Sequence, residues 1–256
     1  MKGKERMTLV IKRFTLSFLC TLLIALSVFV DSMDARQVGS LPGLADQYPE
    51  LVFVRGNDAT NQIALTFDDG PDPRFTDTVL NALEEFDVPA TFFVLGQRAE
   101  ANPNYVRRIV DEGHDIANHT YSHPNLADLT VDEMEQEINQ ADAVIENIVG
   151  FRPRLFRPPF GSISEEEVVR LGEMNNVAIG WDVDPNDWQE IPADEVSERV
   201  IADTTAGSII LLHDGVDSPD LTVNSPEALQ TIIPELQSQG YEFVTVSELI
   251  GIENRK

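Results

Sequence analysis

Cysteine occurs once, as Cys20, and lysine four times, with Lys256 the only one after Lys12. A single cysteine excludes an internal disulfide, so stability has to come from packing and from any bound metal. Phe18 and Leu19 precede Cys20 where a lipoprotein anchor needs small residues, which argues against that anchor. Positive charge is scarce as well: the formal net charge is -26. Such a surface repels nucleic acid and anionic lipid and argues against either as a partner. The chain has no internal repeat and no low-complexity tract that calls for a separate reading.

Residues 1–13 carry Lys2, Lys4, Arg6, Lys12 and Arg13, and the 17 residues 14–30 contain no charge. A basic stretch followed by an apolar run is the pattern of an export signal, and this run is barely long enough for a membrane anchor. We assign residues 1–33 to that segment, the only expected contact with a membrane. Cleavage after Ser32 would place Val30, a less than ideal residue, at the third position back. The segment holds five bases against Glu5 and Asp31, so the remainder is three charges more negative, at -29. Residues 34–50, mixing Gly, Pro and charge, read as a linker. Residues 51–256 suffice for one α/β domain, expected to be monomeric.

Within that domain, apolar strand-like runs alternate with amphipathic segments. Residues 51–54 read as a short entrance strand and 63–68 as the first long one, followed by a helix over 75–86. Strands at 90–94, 114–118, 154–157, 177–181, 208–212 and 242–246 alternate with helices at 104–112, 130–149, 164–174, 193–204 and 225–240. Thr130 with Glu133 and Ser164 with Glu167 form capping-box patterns. About seven strand–helix units predict a parallel sheet closed, or nearly closed, into a distorted (β/α) barrel.

Polar clusters follow one predicted strand after another, and a parallel barrel brings such clusters to one face. The first is Asp68-Asp69, closing the run I-A-L-T-F-D-D-G-P. Alternation along a strand sends neighbouring side chains to opposite sides, so one carboxylate is expected to face a cation and the other solvent or substrate. The competing reading is an Asp-rich turn. The next cluster contains His119 and His123, spaced so that a helical turn would put both imidazoles on one side. With Asp69 they would form a His-His-Asp set suited to one divalent metal, Zn2+ first, with Co2+, Ni2+ or Mn2+ as substitutes. Two capping histidines are the alternative. Three of the four histidines fall at predicted strand tips, which favours a site; His114, at a strand start, reads as structural.

In order, T-F-D-D-G-P, H-T-Y-S-H, R-P-P-F-G, D-P-N-D-W and L-L-H-D resemble the five motifs of the polysaccharide deacetylase (NodB homology, carbohydrate esterase family 4) domain. The resemblance spans roughly residues 60–250. It implies a distorted (β/α) barrel and an enzyme that uses one divalent metal to remove N-acetyl, sometimes O-acetyl, groups from sugar polymers. By the same resemblance Asp69, His119 and His123 hold the metal, Asp68 is the general base and His213 the general acid. Arg157 orients Asp68, Asp187 tunes His213, and the backbone N–H of Phe160 serves the oxyanion. Trp188, Leu211 and Pro159 contribute to substrate binding. The family more often has Tyr where Phe160 stands, a difference that a backbone donor tolerates.

The expected partner is an acetylated, N-acetylglucosamine-containing polysaccharide of the cell envelope, peptidoglycan foremost. An O-acetyl xylan esterase and a non-catalytic glycan-binding relative are the alternatives. The lysine-poor, acidic surface is similar to those of proteins from high-salt habitats, where salt screens carboxylate repulsion. Thermal denaturation is therefore expected to move to higher temperature between low and molar salt. A flat or falling response would leave the lysine depletion unexplained.

Overall fold

The computed structural model describes residues 38–216, 218 and 220–256. The proposed export segment lies outside them. No helix among the described residues is long and apolar enough to cross a membrane.

The chain begins with β1 (Val38–Gly39) and α1 (Leu41–Gln47), followed by β2 (Val52–Phe53) and β3 (Gln62–Asp68). Then come α2 (Thr76–Phe86), β4 (Thr91–Val94), α3 (Gly96–Ala101), α4 (Pro103–Asp111), β5 (Asp115–Asn118) and the long α5 (Val131–Val149). β6 (Leu155–Phe156), β7 (Ile163–Ser164), α6 (Glu165–Glu173), β8 (Val177–Ile179) and α7 (Ala193–Asp203) lead to β9 (Ile209–His213). α8 (Ser225–Ser238), β10 (Glu242–Phe243) and α9 (Val246–Ile250) complete it. The capping boxes read from Thr130–Glu133 and Ser164–Glu167 are both formed.

The main sheet is parallel throughout, ordered β10-β3-β4-β5-β6-β8-β2, with β9 also paired to β3. A parallel bridge between Val183 and Ile210 joins the segment after β8 to β9 and nearly closes the ring. β1 and β7 form a small antiparallel pair at the side. The expected parallel barrel is thus a strongly curled sheet.

Side-chain alternation divides this sheet into two faces. Ile63, Leu65, Phe67, Phe92, Val94 and Ile116 pack outward into the core shared with α2, α7 and α8. Ala64, Phe93, Ala117, Leu155, Ile179 and Ile209 pack together on the concave face. Stepping two residues along each strand from those positions leads from Ala64 to Thr66 and Asp68, from Ala117 to His119, from Leu155 to Arg157 and from Ile209 to Leu211 and His213. The apolar floor and the polar mouth are therefore one face read at two heights.

Two sequence expectations are corrected. Residues 41–47, assigned to a linker, form a helix capped by Ser40, and Leu41 and Leu44 are buried with Ile163, Val168 and Phe156. The short helix α3 was missed because Gly96 opens it and Pro103 starts a second helix almost at once, so no apolar period can establish itself.

Candidate active site

Asp68 and His213 are register partners on adjacent parallel strands, so their side chains leave the sheet on the same side. Asp69 follows at the strand tip with φ 70°, in the left-handed region. This reverses the alternation that would have sent its carboxylate away, and both acids line a cavity of about 410 Å3. The expectation that the two carboxylates face opposite sides is corrected accordingly.

The loop after β5 brings His119 and His123 to the same cavity. It does not turn helically as expected: Thr120 and His123 have φ 71° and 64°. His119 Nε2 and His123 Nε2 nevertheless lie 3.5 and 3.3 Å from Asp69 Oδ1. One ligand atom from each of the three residues falls within 4.8 Å of the others. Asp69 Oδ1 is buried without a hydrogen-bond partner. His119 Nδ1–H donates to the Arg157 carbonyl at 2.7 Å, which leaves the Nε2 lone pair aimed at the cavity. Burial pushes the His119 pKa down, so the ring is a neutral donor to a metal. An orphaned carboxylate oxygen converging with a neutral imidazole and a second imidazole fits a divalent cation.

Arg157 lies beneath this group, fully buried. Its Nη1 donates to Asp68 Oδ1 at 2.6 Å and to Thr66 Oγ1 at 2.8 Å, while Nε and Nη2 donate to the carbonyls of Ile179 and Gly180. Its guanidinium stacks over Phe93 at 4.0 Å and lies 5.5 Å from the Trp181 ring centroid. Asp68 is thereby held as a charge-paired carboxylate, with Oδ2 3.7 Å from His119 Nε2.

On the neighbouring strand, His213 Nδ1 and the His213 backbone N–H donate to Asp187 at 2.8 Å each, and Ser225 Oγ donates to Asp187 in a short hydrogen bond. Burial opposes a charge on His213, but the attraction and hydrogen bond of Asp187 outweigh it, with Asp69 and Asp68 adding to them, and the pKa is pushed up to about 10. His213 is therefore protonated in the neutral range, as a proton donor must be. His114, by contrast, is buried away from the site, accepts from the Ala90 N–H and is pushed down to about 4 by burial. It is structural, as expected.

Phe160 has φ 58° in a tight turn and is 65% exposed, with its ring 4.8 Å from that of His123. Trp188, 53% exposed, and Leu211 line the cavity with it. Pro159 does not: both prolines of the turn are buried, and it is Pro158 that lines the cavity. The sequence reading missed four further residues. Thr66 was findable, since it lies two positions before Asp68 and so on the same face. Trp181, Asn118 and Ser225 carried no comparable signal. Asp184 accepts from the Asn186 N–H at 2.8 Å, as a turn carboxylate does, and also lines the cavity. Asp214 accepts from Thr76 Oγ1 and is pushed up to about 7 by burial.

The sequence pattern of the family described as polysaccharide deacetylase matches residues 55–177. The chain is 42% identical over 189 residues to a peptidoglycan-N-acetylglucosamine deacetylase of Bacillus cereus, covering 73% of this chain and 68% of that protein. Its fold is similar to the crystal structure of the Bc1960 peptidoglycan N-acetylglucosamine deacetylase, with a TM-score of 0.76 and 39% identity over 79% of this chain and 94% of that one. It is also similar to a family 4 acetyl xylan esterase from Clostridium thermocellum bound to a cobalt ion, with a TM-score of 0.67 and 39% identity over 75% and 93% of the two chains.

Proposed function

The chain belongs to the polysaccharide deacetylase family, and on that premise we propose that it hydrolyses N-acetyl groups of N-acetylglucosamine residues in a cell-envelope polysaccharide, most directly peptidoglycan, releasing acetate. The observation that carries this reading is that a carboxylate held by an arginine and an imidazole held by a second carboxylate line the same cavity as a three-ligand cluster suited to a cation: Asp68 with Arg157, and His213 with Asp187, beside Asp69, His119 and His123.

Asp69, His119 and His123 would hold the cation, for which a His-His-Asp set favours Zn2+. A cation there supplies Lewis acidity, acidifying water and polarising the acetamide carbonyl. Asp68 accepts the proton of the attacking water, and its hydrogen bond from Arg157 Nη1 orients it for that purpose. The backbone N–H of Phe160 donates to the oxygen that gains charge as the carbonyl carbon becomes tetrahedral. His213 gives its Nε2 proton to the departing sugar nitrogen, a step that amide cleavage requires because an amide anion leaves poorly. Trp188 and Leu211 wall the acetyl group, and the exposed rings of Phe160 and Trp188 offer apolar faces to sugar rings.

Export, through residues 1–33, places the enzyme where envelope glycan is found. The second reading, an O-acetyl esterase, is favoured by the similarity to the acetyl xylan esterase. Acetate release measured side by side on N-acetylglucosamine oligomers and on O-acetylated xylan separates the two. Release from the amide substrate is expected to dominate; release from the ester alone would replace the proposal by the second reading.

A further inference from the structure

The loop that delivers both histidines is held in a conformation its residues do not favour alone. Thr120, β-branched, and His123 both occupy the left-handed region, at φ 71° and 64°. Such strain persists only where the surroundings over-determine it. Two of the loop's carbonyls, those of Thr120 and Tyr121, accept from the Gly96 and Gln97 N–H groups in the first turn of α3. Within the loop, Thr120 N–H donates to Asn118 Oδ1 and His123 N–H to Thr120 Oγ1. Both N–H groups at the centre of the turn, those of Tyr121 and Ser122, donate to one atom outside it, Glu137 Oε2, at 3.0 and 2.8 Å. Ser122 Oγ donates to Glu137 Oε1 at 2.9 Å.

Glu137 projects from α5, the longest described helix, whose capped N-terminus and buried face of Met134, Ile138, Ala141 and Ile145 fix it against the sheet. The same helix holds the start of the loop: Asn118 Nδ2 donates to the Ile138 carbonyl at 2.9 Å and to Asp142 Oδ1 at 2.7 Å. Helix α5 therefore grips the histidine loop at its root and at its apex. Nothing in the reaction uses Glu137 directly, and Glu137, the acceptor at the apex, lies outside the five motifs.

We infer that Glu137 is a positioning residue for the metal site, setting the distance between His119 and His123 through the backbone of the turn between them. The inference rests on the reading that these histidines and Asp69 hold a divalent cation. Because a carboxylate reaching two N–H groups needs both length and acceptor geometry, two substitutions divide its properties. Glu137→Gln keeps the reach and an acceptor oxygen and discards the charge; Glu137→Asp keeps the charge and, one methylene shorter, withdraws it from the turn.

The test titrates chelator-stripped full-length protein with Zn2+ against a chromophoric chelator, and measures kcat and KM with Zn2+ restored to saturation. The wild type is expected to bind about one equivalent. Glu137→Asp is expected to weaken Zn2+ binding by about tenfold or more, in the range typical of groups that orient metal ligands, while Glu137→Gln stays close to wild type. A residue that serves only to stabilise the fold would instead lower the urea midpoint of the stripped protein and leave Zn2+ affinity unchanged. Unchanged affinity in both variants overturns the inference. Loss in Glu137→Gln with retention in Glu137→Asp also overturns it, assigning the effect to charge. A wild type that binds no Zn2+ would defeat the underlying metal-site reading itself, an outcome distinct from either variant result.

Discussion

Asp68→Asn is expected to leave the metal bound and to lower kcat by at least about a hundredfold, the low end of what a positioned general base contributes. The reason lies in how the structure divides labour between two adjacent acids. Asp69 Oδ1 faces the imidazoles of His119 and His123, whereas Asp68 Oδ1 faces Arg157 Nη1 at 2.6 Å. An asparagine at position 68 can still accept from Arg157 through its amide oxygen, so the architecture should survive. What it cannot do is take a proton from water. Steady-state acetate release at saturating metal, combined with metal content of the purified variant, checks both halves. Full rate would end the assignment of Asp68 as base, and loss of metal would show that the two aspartates do not divide their roles as argued.

The largest expected effect on stability comes from Arg157→Met. Arg157 is among the largest fully buried side chains and spends its donors on Asp68, Thr66 and two carbonyls at the end of β8. Methionine fills much of the stem's volume but leaves a buried carboxylate without its counter-charge and two carbonyls without donors. Breaking a buried pair on one side typically costs about 3–5 kcal/mol, a large share of the 5–15 kcal/mol or so that holds a domain folded. Urea denaturation should show a correspondingly lower midpoint. Lysine would not rescue it, because a single ammonium cannot reach Asp68 and the β8 carbonyls together. A midpoint close to wild type in Arg157→Met would contradict the claim that this pair is integral to the concave face.

Much of this site was legible before the fold. Each apolar run that ends in a polar cluster marks a strand tip, and parallel order gathers the tips; hence Asp68 and His119 stood out by position, while Arg157 and His213 were named through the resemblance to the deacetylase motifs. Thr66 could have been found the same way, from its two-residue spacing to Asp68. What escaped was governed by single backbone angles. Asp69 shares a cavity with its neighbour because its φ is positive, and the His119–His123 loop is a strained turn held from outside, whereas spacing alone suggested a helix. Composition misled at residues 41–47, where Pro and Gly inside a short helix look like linker until Leu41 and Leu44 are seen packed against Ile163 and Val168. Contacts that arrive from remote elements, such as Ser225 on Asp187 or Glu137 under the histidine loop, have no local signature at all.

The most direct test of the account is acetate release from N-acetylglucosamine oligomers by the protein before and after chelation, and again after Zn2+ or Co2+ is restored. The account predicts release that falls on chelation and returns with the metal. Release that survives removal of all bound metal would contradict it, as would a metal-loaded protein that releases nothing from any N-acetylated glycan.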